Sequence, residues 1–219
     1  MTTATKQKKH AGAENGERAQ RADARRNHEA VLDAARERFG ADGLEVGMED
    51  IARAAGVGVG TVYRHFPTKD DLIGALVHDH FARLAAGAEA ALEKDDPWNS
   101  FCEFMRWSAR QGRENRALGE FLGSSPQLGE YEARESGLAD ATEKLIRKAQ
   151  RAGRMRKDVI LEDVPTLLCG VSAITAAHPD SIAAQNWERV VEIALDGMRA
   201  TPGNHKLPPP RSQVLASKS

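Results

Sequence analysis

The chain has 219 residues, 41% of them hydrophobic but only 5% aromatic, and a formal net charge of −1. That length accommodates one or two small domains with real cores, and the longest uncharged run, Val164 to Pro179, is too short for a membrane span and contains Pro165. No apolar segment follows the basic N-terminal residues, so no secretory signal is expected, and two cysteines in no motif, Cys102 and Cys169, suit a reducing cytoplasm.

Residues 1–26 carry Lys6, Lys8, Lys9, Arg18, Arg21, Arg25 and Arg26 against only Glu14, Glu17 and Asp23. A local surplus of this kind attracts polyanions although the whole chain is nearly neutral. Residues 1–22 are expected to be a disordered basic tail, which can still add non-specific affinity for a polyanion. Apolar residues then recur every three or four positions. Val31, Ala34, Ala35 and Phe39 share one face, and Gly40 to Gly43 closes that segment. Met48, Ile51, Ala52 and Ala55 form a short stripe, and Leu72, Ile73, Leu76, Val77, His80, Phe81 and Leu84 a long one. Further stripes run through Trp98, Phe101, Cys102 and Met105, then Leu138, Ala141, Thr142, Leu145, Ile146 and Ala149. Val164, Leu167, Leu168, Val171 and Ile174 follow, and last come Trp187, Val190, Val191, Ala194, Leu195 and Met198. No stretch alternates with period two, so the expected fold is all-α, with about nine helices.

The prolines (Pro67, Pro97, Pro126, Pro165, Pro179 and Pro202) fall at the edges of these segments, where a missing N–H costs least. Asp96-Pro97 reads as an N-cap followed by the first helical residue. Thr68 to Asp71 reads as a short capping box. The expected domains are a tail over 1–22, a helix-turn-helix domain over 23–72, a helical domain over 73–200 and a disordered tail over 201–219.

The stretch AGVGVGTVYRHFPTKDDL, Ala55 to Leu72, admits two opposed readings. A dinucleotide loop needs a strand before its glycines and the spacing G-x-G-x-x-G. Here a helical stripe precedes them and the spacing is G-x-G-x-G, and no Gly-Lys-Ser/Thr follows to make a phosphate loop. A short helix, a glycine turn and a second short helix fit better, as a helix-turn-helix. In the second helix Val59, Val62 and Phe66 are expected to face the core, with Gly60, Thr61, Arg64 and, at the edge, His65 opposite. Thr61 suits a thymine methyl or a phosphate, and Arg64 can fork onto guanine. Gly60 allows close backbone approach, whereas Tyr63 and Lys69 suit phosphates.

These residues resemble the DNA-binding domain of the tetracycline-repressor (TetR) family of bacterial regulators. The resemblance runs from about Ala24 to Leu76 and is most specific in Gly60-Thr61-Val62-Tyr63, His65-Phe66 and Lys69. It implies phosphate contacts for Tyr63, His65 and Lys69, and a base-reading surface of Val59, Gly60, Thr61 and Arg64. The family commonly has a hydroxyl residue where Gly47 and Gly58 stand. Glycine is an acceptable N-cap but offers no hydroxyl to a phosphate, so more dependence on Arg25, Arg26 and the basic arm is expected.

The resemblance further implies a homodimer and a small organic effector. One short recognition helix reads few bases, and a symmetric pair matches a palindromic operator on double-stranded DNA. The apolar stripes of the last two helices are the expected interface, through Leu168, Val171, Trp187, Val191, Leu195 and Met198; the other reading is monomer core. Aromatic residues concentrate between Trp98 and Phe121. They read either as core or as an effector pocket of Phe101, Met105 and Phe121 with Ser108, Thr142 and Cys169 as polar handles. Arg106, Arg110 and Arg113 read as a solvated basic face. No nucleophile–base pairing or metal-ligand spacing is present, so no catalytic residue, metal site or cofactor is assigned. The expectation is a cytoplasmic ligand-responsive repressor, not an enzyme. The alternative is a DNA-binding regulator, partner-controlled or architectural, without a small-molecule ligand.

Overall fold

The computed structural model describes the backbone of residues 4–177 and 181–210, and leaves aside the side chains of 4–17, 19, 116, 120, 126, 174–177 and 183. Pro179 and residues 211–219 therefore lie outside the described residues. In chain order the helices are α1 (Ala4–Asp42), α2 (Met48–Ala55), α3 (Val59–His65), α4 (Lys69–Leu92), α5 (Pro97–Glu114), α6 (Arg116–Ser124), α7 (Pro126–Glu135), α8 (Leu138–Arg151), α9 (Asp163–Ala177), α10 (Ile182–Gln185) and α11 (Trp187–Met198). The chain divides into two compact units, Met1–Leu76 and Val77–Ser219.

In the first unit α1 packs on α2 and α3. Val31, Ala35, Phe39, Ile51, Ala52, Val62, Phe66, Leu72 and Leu76 are buried there, each within 3% of complete burial. These are the residues of the periodic stripes, and each large one buried contributes roughly 1.5–3 kcal/mol. The expected capping box starts α4: Asp71 N–H donates to Thr68 Oγ1 at 3.1 Å, and Thr68 N–H donates to Asp71 Oδ2 at 2.9 Å.

In the second unit α5 is the hub, packing on α8, α9 and α11. Phe101, Met105, Leu145, Ala149 and Met155 are buried at its centre with Trp98, Val171, Trp187, Val191, Leu195 and Met198 around them. Asp96 caps α5 as expected, its Oδ1 accepting from Trp98 and Asn99 N–H at 3.0 Å. Gly87 on α4 allows a close approach that no other residue would, because a Cβ there would overlap the indole of Trp107.

Both terminal expectations change. The backbone is helical from Ala4, where a loose tail was expected over 1–22. Ala, Lys, Glu, Gln and Arg dominate that stretch, no proline interrupts it, and propagation from a packed helix adds one hydrogen bond per residue fixed. Residues 201–210 are irregular but anchored, where disorder was expected. Arg156 holds both oxygens of Asp158 at 2.7 and 2.9 Å, and its guanidinium also donates to the carbonyls of Gly197 and His205. Asp158 in turn accepts from Leu207 N–H at 2.8 Å. An isolated antiparallel bridge, Met155 to Arg199, adds to this clamp. Eleven helical segments are present among the described residues where about nine were expected, α10 being a single turn.

Candidate nucleic-acid interface

The α2–α3 unit is built from backbone geometry that only glycine supplies cheaply. Gly56 takes the left-handed conformation at φ 68° and ends α2. Its N–H donates to Arg53 O, and Val57 N–H donates to Ala52 O at 3.1 Å. This paired pattern closes the helix and turns the chain. Gly58 is then extended, and its carbonyl accepts from Thr61 N–H at 2.8 Å to start α3. Neither Gly47 nor Gly58 makes a side-chain cap, in keeping with their composition.

Burial sorts the faces of α3. Val62 and Phe66 are inside. Gly60, Tyr63 and Arg64 are exposed, and Arg64 has no ion pair among the described residues. Val59 is 42% exposed, so it does not share the core face with Val62. It is the first residue of a two-turn helix whose packed part is the turn around Val62, and this leaves Val59 on the outward side with Gly60. Thr61 is half-buried, not fully presented.

His65 differs from a free surface histidine. Its ring meets His28 of α1 edge-on at 5.6 Å between centroids, and His28 stacks on Phe66 at 4.9 Å. Its Nε2 is buried with no hydrogen-bond partner among the described residues. Burial, then the neighbouring His28 and Arg64, hold its pKa below the ordinary histidine value. Burial thus favours the neutral ring, and with Nε2 inside, Nδ1 is the nitrogen left to meet a partner. His28 was not anticipated from the sequence, where nothing marks a residue so far upstream as a neighbour of α3.

The surroundings of α3 fit a long polyanion. Lys69 lies at the start of α4, its Nζ 5.8 Å from the Phe39 ring. Arg25 and Arg26 are exposed on α1, but Arg25 pairs with Glu29 at 3.6 Å and Arg26 pairs with Asp23. Exposed pairs of this kind are weak and exchangeable.

A family profile for bacterial regulatory proteins of the tetR family matches residues 31–76. A second, for the C-terminal domain of SbtR-like transcriptional regulators, matches residues 96–200. The crystal structure of a TetR transcription regulatory protein from Mycobacterium vanbaalenii is 37% identical, and the match covers 82% of this chain and 99% of that one with a TM-score of 0.62. The chain belongs to the TetR family. The TetR regulator SCO0520 from Streptomyces coelicolor is 30% identical over 79% of this chain and 98% of its own, with a TM-score of 0.62. The chain spans about half or less of the curated relatives it matches. One is the HTH-type transcriptional regulator SAR0097 of Staphylococcus aureus, 33% identical over 39% of this chain and 46% of its own length.

This TetR-family protein is thus a member of a family of DNA-binding transcriptional regulators. Among the described residues no helix is long and apolar enough to cross a membrane. In its second unit the residues expected to form an effector pocket lie at different depths. Phe101, Met105, Ser108 and Thr142 are buried, Phe121 is half-buried and Cys169 is exposed. Ser108 Oγ is buried without a partner among the described residues.

The expected dimer residues are also displaced. Val171, Trp187, Val191, Leu195 and Met198 are covered within this chain, each at most 6% exposed, and Leu168 is half-buried against the same core. The strongest apolar stripe of a helix packs into its own core first. What α9 and α11 leave outward is a second, weaker stripe. It holds Cys169, Gly170 and Ala173 on α9, with Val190 at 44% and Ile193 at 62% exposure on α11.

Proposed function

We propose that this TetR-family regulator is a cytoplasmic homodimeric repressor that reads a palindromic operator with α3 and leaves it when a small organic effector binds. The observation that carries the DNA reading is the outward face of α3. Gly60, Tyr63 and Arg64, which has no ion pair among the described residues, stand exposed beside Val59, while Val62 and Phe66 fix the helix from behind. Arg64 and Thr61 read bases, the Val59–Gly60 backbone lies against the groove, and Tyr63, His65, Lys69, Arg25 and Arg26 hold phosphates. His65 does so as a neutral donor through Nδ1.

The dimer forms through the outward stripe of α9 and α11, not through the buried residues that the periodicity favours. Small residues on α9 allow close approach of a second copy, and Val190 and Ile193 supply apolar area. The test is selection of operator half-sites from random DNA, followed by anisotropy titration. The expected product is a palindrome with half-sites about one helical turn apart or a small multiple of it. A non-palindromic consensus, or binding with equal affinity to all sequences, would overturn the reading. The burial of Phe101 and Met105 in one core, with Thr142 also buried, favours a second reading, a regulator with no interior effector, which a thermal-shift screen against apolar compounds distinguishes.

A further inference from the structure

Arg106, Arg110 and Arg113 form a basic strip in the sequence, and the fold separates them. Arg106 is taken up by Glu192 of α11, Nε donating to Oε1 at 2.6 Å and Nη2 to Oε2 at 2.8 Å. Arg110 and Arg113 have no ion pair among the described residues. They line a cleft of about 320 Å³ together with Glu114, Trp187 and Glu188. The wall of this cleft is rigid: Trp187 is only 5% exposed and belongs to the core. The guanidinium of Arg113 stands 5.9 Å from the Trp187 ring centroid. The cleft lies wholly within the second unit, between the end of α5 and the start of α11.

We propose that this cleft binds a small flat organic anion, an aromatic monocarboxylate, with Arg110 and Arg113 on the carboxylate and Trp187 as the apolar wall. The planar guanidinium fork matches a carboxylate in two hydrogen bonds, which a lysine pair would not do. Two cations three residues apart on one helix repel each other until an anion neutralises them. The volume sits at the lower end of the range for small-molecule sites, enough for one ring and one head group. The two acidic residues at the cleft set the ligand's charge. Glu114 accepts from Gln111 Nε2 at 2.8 Å, and Glu188 lies in the first turn of α11, where the helix amides offset it. They leave room for one negative charge and oppose a second. Trp187 joins the cleft to the core that holds Phe101 and Met105, but neither of those two lines it, and the site stands whether or not α3 reads DNA as described above.

The test is a benzoate titration of the full-length protein followed by the indole N–H signals of its three tryptophans, assigned through the backbone resonances. The expected result is a saturable shift at Trp187, with Trp98 and Trp107 unmoved. Benzamide, the neutral isostere, produces none. Arg110→Gln and Arg113→Gln each weaken benzoate about tenfold, the loss of one charge-assisted contact. Glu188→Gln tightens it, and Arg106→Gln leaves it unchanged. A non-saturable shift, an equal response to benzamide, or wild-type affinity in both Arg110→Gln and Arg113→Gln overturns the assignment. Loss of benzoate binding with intact operator binding would remove the cleft alone, so the two readings fail separately.

Discussion

Two glycines four residues apart, Gly56 and Gly60, should respond to alanine with opposite signs. Gly60 lies in the first turn of α3 and a Cβ there would meet nothing within 4 Å. Its backbone is helical, so Gly60→Ala removes unfolded-state freedom without strain and stabilises by roughly 0.5–1 kcal/mol. Gly56 also has open space around it, but at φ 68°. An alanine there meets its own carbonyl, at a cost of about 1–2 kcal/mol, partly offset by the same entropic gain. The two variants should therefore differ by roughly 1–2 kcal/mol in local stability. Hydrogen exchange of the α2 and α3 amides in the full-length protein reads this directly. Operator affinity should not follow stability. Gly60→Ala puts a methyl where the backbone approaches the groove and should weaken operator binding about tenfold despite the firmer helix. A Gly60→Ala protein that is better protected and binds as tightly as wild type would refute the close approach. One that is less protected would refute the open space.

Lys69→Ala should weaken binding to operator and scrambled DNA alike and reduce the salt dependence by about one counterion per subunit. Arg64→Ala should cost roughly 1–3 kcal/mol per half-site on operator and relax one base pair, with little effect on scrambled DNA; equal losses on both DNAs would take Arg64 off the base-reading surface. Val190→Glu with Ile193→Glu should give a folded monomer in light scattering, whereas Val191→Glu, buried at 4% exposure, should give an unfolded chain; a folded monomer from Val191→Glu would return the interface to the inner stripe. The Arg156 guanidinium, and after it the Leu207 N–H, hold the Asp158 carboxyl well below the usual carboxylate range. A depressed folded pKa means stability that is complete above the unfolded value, about 3.9, and lost as pH falls below it. Asp158→Asn should thus lower the melting temperature at pH 7 and expose residues 201–210 to proteolysis, and its deficit should shrink in melts below about pH 4. A deficit that does not change with pH would assign the effect to packing.

The helix-turn-helix was legible because its information is local. Gly56 must take a positive φ, Thr68 and Asp71 cap each other within one turn, and Asp96 caps the helix that Pro97 opens. Each of these needs only neighbours within a few positions. The Met48–Ile51–Ala52 and Val62–Phe66 stripes were equally local, and their burial followed. Val59 was the exception, since position on a helical wheel does not tell how far the partner helix extends.

The second unit shows where such reasoning stops. Trp187, Val191, Leu195 and Met198 have the spacing of a buried face, and the sequence of α11 by itself determined that they would be covered. It did not determine by what. Within the fold α5 and α9 arrive first, because intrachain contacts are made without the loss of translational freedom that a second subunit brings. What remains outward on α11 is Val190 and Ile193, and of these the periodicity had marked only Val190. The basic strip on α5 is the same case. Charge alone made Arg106, Arg110 and Arg113 equivalent, and only the placement of Glu192 and Trp187 from a helix more than seventy residues away gave one of them a partner and the other two a cleft. Short-range geometry is written in the chain, but which long-range neighbour satisfies a face or a charge is settled only when the helices pack.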